Sequence, residues 1–203
     1  GEALHRRDVL AVRSNFRPVT RRHEDMFVAG LAAFGGESED VLPVAEMTMA
    51  TVMEDGDRVD NADFLARVDT LTALGYHVLV SDYLRYFRLR AFLRRYTQGR
   101  IGIVARLDNL RDIFNPDFYS DLEGGLLEAF GRLFCDKTWM YVYPSRGPDG
   151  QLVTADNFDP NPAVHHIYRH LYEGGRIQPL TGFNPLVLDI DWRQVLPALR
   201  ANQ

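Results

Sequence analysis

Apolar residues follow two rhythms along this chain. Five short, nearly continuous apolar runs, at residues 9–12, 41–45, 77–80, 101–105 and 139–143, have the length of strands buried on both faces. Between them, apolar residues recur every three or four positions, the period of a helix packed along one stripe. Phe27, Leu31 and Phe34 space in this way and stop at Gly35 and Gly36. Asn61 opens a second helical pattern, with Phe64, Leu65, Val68, Leu71 and Leu74 on one face and Gly75 as its end. Residues 82–97 predict a third, with Tyr86, Leu89, Phe92, Leu93 and Tyr96 toward a core and Arg85, Arg88 and Arg95 outside. Residues 120–134 predict a fourth, with Gly124 and Gly125 inside it, and residues 163–172 a fifth. Trp192, Val195, Leu196 and Leu199, beyond Leu180, predict a last docking helix.

Strands alternating with helices are the pattern of an α/β fold: a Rossmann-like, mostly parallel sheet of about five strands with helices on both faces. Pro148-Asp149-Gly150 is a turn signal, so residues 139–143 and 152–154 are expected to pair as a hairpin at a sheet edge. No Pro/Ser-rich linker interrupts the 203 residues, which are enough for one sizeable core. One α/β domain over 1–203 is therefore expected. The opening GEALHRRD lacks a methionine, as a tag remnant or an internal stretch of a longer chain would.

The formal net charge of -5 argues against bulk, sequence-independent nucleic-acid binding, which needs a basic face. Lys137 is the only lysine, so the positive charge is nearly all arginine, the side chain suited to bidentate recognition of phosphate or carboxylate. Cys135 is the only cysteine, which excludes an intramolecular disulfide and fits a reducing compartment. No apolar run approaches the roughly 20 residues of a membrane span, and no signal peptide opens the chain. These features together predict a cytoplasmic protein with no membrane partner. Its large apolar residues exceed what one buried face per helix requires, which predicts a homodimer, with the aromatic side of residues 83–96 against the sheet or a second copy.

In a sheet of this kind, ligands bind beyond the carboxyl ends of the strands. Ser14, Asn15, Phe16 and Arg17 follow the first run, Glu46, Met47 and Thr48 the second, Ser81, Asp82 and Tyr83 the third, and Arg106, Leu107, Asp108 and Asn109 the fourth. This rim is the expected nucleotide site. His166 and His170 stand at i, i+4, but no further ligand is suitably spaced for zinc, so no metal is expected there. Glu37, Glu39, Asp40, Asp55 and Asp57 read as solvated loop carboxylates. No Walker loop, G-x-G-x-x-G or G-x-S-x-G is present.

SNFRPVTRRH, residues 14–23, resembles the first signature of the nucleotidyltransferase superfamily that includes nicotinate-mononucleotide and phosphopantetheine adenylyltransferases. That signature reads Gly-[Ser/Thr]-Phe-x-Pro-x-[His/Thr]-x-Gly-His, and Phe16, Pro18, Thr20 and His23 match it. Most of the chain is also similar to bacterial proteins labelled nicotinate-nucleotide adenylyltransferase, through EMTMATV, DRVDNADFLARVDTLTALGYHVLVSDY and DLEGGLLEAFGRLF. The resemblance implies adenylyl transfer from ATP, with Mg as the accompanying cofactor, to a mononucleotide-like acceptor, with Thr20 and His23 as catalytic residues and Arg17 or Arg21 on phosphate. Ser14 and Arg22 stand where the signature has glycines, and its second signature is not found. A catalytically inactive binding or protein-interaction module is the alternative that these departures keep open.

Overall fold

The computed structural model describes residues 2–35, 41–52, 61–190 and 195. Its strands and helices in chain order are β1 (Asp8–Arg13), α1 (Arg21–Phe34), β2 (Val41–Thr48), α2 (Met49–Val52), α3 (Asn61–Ala73), β3 (His77–Ser81), α4 (Tyr86–Tyr96), β4 (Ile101–Arg106), α5 (Leu107–Ile113), α6 (Gly125–Leu133), β5 (Thr138–Tyr143), β6 (Ser145–Arg146), β7 (Leu152–Val153), α7 (His165–Glu173) and β8 (Ile177–Pro179).

Six strands form one sheet in the order β3-β2-β1-β4-β5-β8, and every pairing in it is parallel. This is the Rossmann-like α/β architecture that the alternation predicts. All five apolar runs are strands. Successive residues of a strand face opposite sides, so each run feeds two cores. Val9, Ala11, Ile101, Ile103 and Val142 pack under α4, α5, α6 and α7. Leu10, Val12, Ala45, Val104 and Tyr141 pack under α1 and α3. Pro43 is tolerated in β2 because β3 pairs only from Val44 onward, so no neighbour on that side needs its missing N–H.

Several boundaries differ from the sequence expectation. β2 continues through Glu46, Met47 and Thr48, which are strand residues rather than a loop after it. The predicted hairpin is smaller: β5 pairs in parallel with β4 and β8, while β7 pairs antiparallel with β6 in a separate two-stranded ribbon. β8, three residues including a proline, is too short to show a period. Gly124 and Gly125 lie at the start of α6, not inside it, and the φ of +54° at Gly125 is the left-handed turn that separates α6 from the preceding 3-10 turn at Pro116–Tyr119. On α3, Leu71 is buried but Leu65 and Leu74 are exposed, and Arg67 takes a buried place instead. The aromatic side of α4 packs within the chain, with Tyr86, Phe87, Leu89 and Leu93 buried. The expected last helix falls, apart from residue 195, outside the described residues. Among the described residues, no helix is long and apolar enough to cross a membrane.

Candidate functional site

Sheet order places the switch in connection between β1 and β4, where the chain leaving one strand and the chain leaving its neighbour diverge. The pairing of β1 with β4 ends at Val12–Val104, and Ser14 and Arg106 each lie two residues beyond it on the two chain ends. The first turn of α1 begins here. Thr20 is its extended N-cap residue, and His23 is its third helical position.

His23 is buried, and its ring is held at both nitrogens. Thr20 N–H donates to His23 Nδ1 at 3.0 Å, which makes Nδ1 the acceptor and places the proton on Nε2. Nε2–H then donates to Ser14 Oγ at 3.0 Å. Burial, followed by the charges of Arg22 and Arg106, pushes the imidazole down to about 3, so it is neutral at ordinary pH. The arrangement has the form of a capping box with histidine in the place usually taken by Glu or Gln. Phe16, fully buried with φ +49°, packs its ring 4.8 Å from the imidazole. The motif residues thus build a rigid entry to α1. Within the first turn, His23 N–H and Glu24 N–H donate to the Thr20 carbonyl at 2.8 and 3.3 Å, and the positive end of the helix dipole lies where the β1–α1 loop enters α1. Arg22 and Arg106 add two cations beside it. Arg22 reaches the Leu188 carbonyl at 3.2 Å, and Arg106 reaches Asp108 at 2.9 Å.

The other rim residues divide between structural ties and accessible groups. Glu46 is fully buried, takes two hydrogen bonds from Arg13 at 2.5 and 3.0 Å, and accepts another from the Ser81 hydroxyl. Arg13 also donates to the Tyr83 and Leu84 carbonyls and lies over the Tyr86 ring, 4.3 Å from its centroid. Glu46 and Ser81 are therefore occupied in joining β1, β2, β3 and the turn into α4. Arg17 is buried and pairs with Asp63 at 3.1 Å, and Asp63 also pairs with Arg67. Arg67 in turn donates to the Asn15 carbonyl at 3.1 Å, so the β1–α1 loop is fastened to the first turn of α3. Arg21 and Asp82 are exposed. Asp108 and Asn109 lie on α5, which follows β4 without a loop, and Asn109 Oδ1 caps that helix through Arg106 N–H at 3.3 Å.

A cavity of about 170 Å³ opens at this rim between Arg13, Thr48, Leu84, Tyr86, Asn109 and Asp112. The Tyr86 hydroxyl is buried with no hydrogen-bond partner among the described residues. Burial is the main cause that raises its pKa well above that of a free phenol, so it stays protonated and a donor. An unsatisfied buried donor costs about 1–3 kcal/mol, and a ligand acceptor would remove that cost.

Sequence reading located the rim and the Ser14–Thr20–His23 cluster, but it missed Arg13, Asp63, Arg67 and Tyr86. A charged residue directly after the apolar run of each of two neighbouring strands, Arg13 beside Glu46, was the available signal. His166 and His170 are both exposed, and no group of three or more His, Cys, Asp or Glu side chains gathers as a metal site among the described residues.

No protein-family model matches the sequence, and no curated protein matches it. Among solved structures the chain is similar to HAL3 from Cryptococcus neoformans, at 16% identity and a TM-score of 0.39 over 98% of this chain and 96% of that one. At that level the likeness says nothing about chemistry. The class of protein defined here is a Rossmann-like α/β protein, and its strand order alone establishes that.

Proposed function

We propose that this protein binds a nucleotide through its phosphate at the crevice between β1 and β4, and that its reaction is adenylyl transfer from ATP to a mononucleotide-like acceptor. The observation that carries this reading is the preorganised first turn of α1, with Arg22 and Arg106 beside a neutral His23. The positive end of the helix dipole, together with these two cations, favours an anionic group such as a phosphate there. The rim cavity, with the unpartnered Tyr86 hydroxyl, supports a place for a second ligand group at the same edge of the sheet. Mg would accompany ATP as counter-ion to its phosphates, with the metal held largely by the nucleotide itself.

A second reading, nucleotide binding without transfer, is favoured by the state of His23. Both ring nitrogens are committed within the chain, so the imidazole positions the turn and donates to no ligand unless Ser14 yields its hydrogen bond. Calorimetry with ATP and mononucleotides, together with an assay for released pyrophosphate, separates the two. Binding with pyrophosphate release supports transfer, and binding without release supports the module. Absence of binding at millimolar concentration removes both.

A further inference from the structure

A further cavity lies away from the rim, on the outer side of α4 where it packs beside α6. It encloses about 500 Å³, the size of a small-molecule site. Its walls carry four arginines, Arg88, Arg90, Arg95 and Arg132, and none of its lining residues is acidic. The sequence sharpens this: residues 83–107 contain seven arginines and no Asp or Glu, in a chain whose formal net charge is -5. Arg88 and Arg95 are exposed, two turns apart on one stripe of α4, and neither forms an ion pair among the described residues. Among the described residues, Arg90 makes a long contact, 3.4 Å, to the Thr138 hydroxyl. Arg132 pairs with Glu128 at 2.6 Å and lies over the Phe87 ring.

Like charges on one helix face cost stability, and no acid on α4 itself offsets them; from outside the helix, Asp121 pairs with Arg85 and its charge also reaches Arg88. The space between them is also kept open. Ala91 lines the groove from α4, and Gly131 lines it from α6. A side chain at Gly131 would meet nothing within 4 Å, so close packing does not account for a glycine in that helix. Tyr83, Phe87 and Phe92 supply aromatic wall between the cations.

We propose that the α4–α6 groove is a second binding site, for a small ligand bearing two or more phosphate groups. Guanidinium groups bind phosphate oxygens bidentately, and several converging on one groove match a polyphosphate better than a single anion. The aromatic wall suits the base of a nucleoside polyphosphate, while inorganic polyphosphate shares the same anionic chemistry. This site stands or falls separately from the rim.

The sole cysteine, Cys135, lines the groove and reports on its occupancy. The full chain is treated with iodoacetamide, a neutral reagent, in the presence of rising tripolyphosphate or ATP. Both ligands are expected to slow alkylation of Cys135. The protecting concentration rises by about tenfold for each of Arg88→Ala and Arg95→Ala, the loss expected for one charge-assisted contact. Arg106→Ala, at the rim, leaves it unchanged. Tighter protection by ATP assigns the groove to nucleotides, and equal protection assigns it to inorganic polyphosphate. Absence of protection at millimolar ligand overturns the proposal. So does protection that the Arg88→Ala/Arg95→Ala variant retains, or protection given by a single-stranded RNA oligonucleotide and by neither small ligand.

Discussion

Replacing His23 by Gln isolates the acid sensitivity that a buried neutral imidazole imposes. In the unfolded chain this histidine takes up a proton near 6.5, and in the folded chain only near 3. Above pH 6.5 neither state is protonated at this position, and stability does not depend on pH through it. Between 6.5 and about 3 the unfolded chain holds a proton that the folded chain refuses, so stability falls as pH falls. At pH 5.5, one unit below the unfolded value, the loss is about 1.4 kcal/mol, and it levels off toward about 5 kcal/mol only below pH 3. Glutamine at the same position can accept from Thr20 N–H in a capping box and cannot titrate. The five other histidines are exposed and common to both proteins, so they cancel in the comparison. Urea unfolding of parent and His23→Gln at pH 7.5, 6.5 and 5.5 should show the parent losing about 1.4 kcal/mol more than the variant across that range. Parallel pH profiles for the two proteins would refute the burial and tautomer assigned to His23.

Glu46→Ala removes the carboxylate that neutralises buried Arg13, and should cost about 3–5 kcal/mol in denaturant unfolding. Arg13→Met/Glu46→Leu, which removes both charges, should recover much of that loss; a single variant within 1 kcal/mol of the parent contradicts this description of the network. Gly102→Ala places a methyl group 2.8 Å from the Leu10 and Phe34 side chains, between β4 and α1, and should destabilise by about 1–3 kcal/mol. An unchanged thermal midpoint for that variant would show that α1 packs less closely on the sheet than described.

The sheet was largely legible in the sequence, because five of its six strands are continuous apolar runs buried on both faces. β8 was not, since three residues ending in proline carry no period and take their pairing from β5. Leu107 to Asn109 read as loop because seven residues of α5 are too short for a stripe to stand out. The fold rule pointed to the rim, yet sequence could not tell which of its polar groups were already occupied. Glu46 and Ser81 look as available as Asp82 along the chain; only the register that sets Arg13 beside Glu46 shows that they are not. Likewise, the spacing of Thr20 and His23 suits either a phosphate contact or a capping box, and sequence cannot show that the ring makes two internal hydrogen bonds.

The most direct test of nucleotide binding at the α1 terminus is amide chemical-shift mapping of the ¹⁵N-labelled chain titrated with a mononucleotide, with the Arg106→Ala variant in parallel. The account predicts that the amides of Arg21, Arg22 and His23 and of the strand ends at Ser14 and Arg106 shift together and saturate. Removing the Arg106 guanidinium should weaken binding by about tenfold, the loss of one charge-assisted contact to phosphate. Shifts confined to other parts of the molecule, or none at millimolar nucleotide, would contradict it.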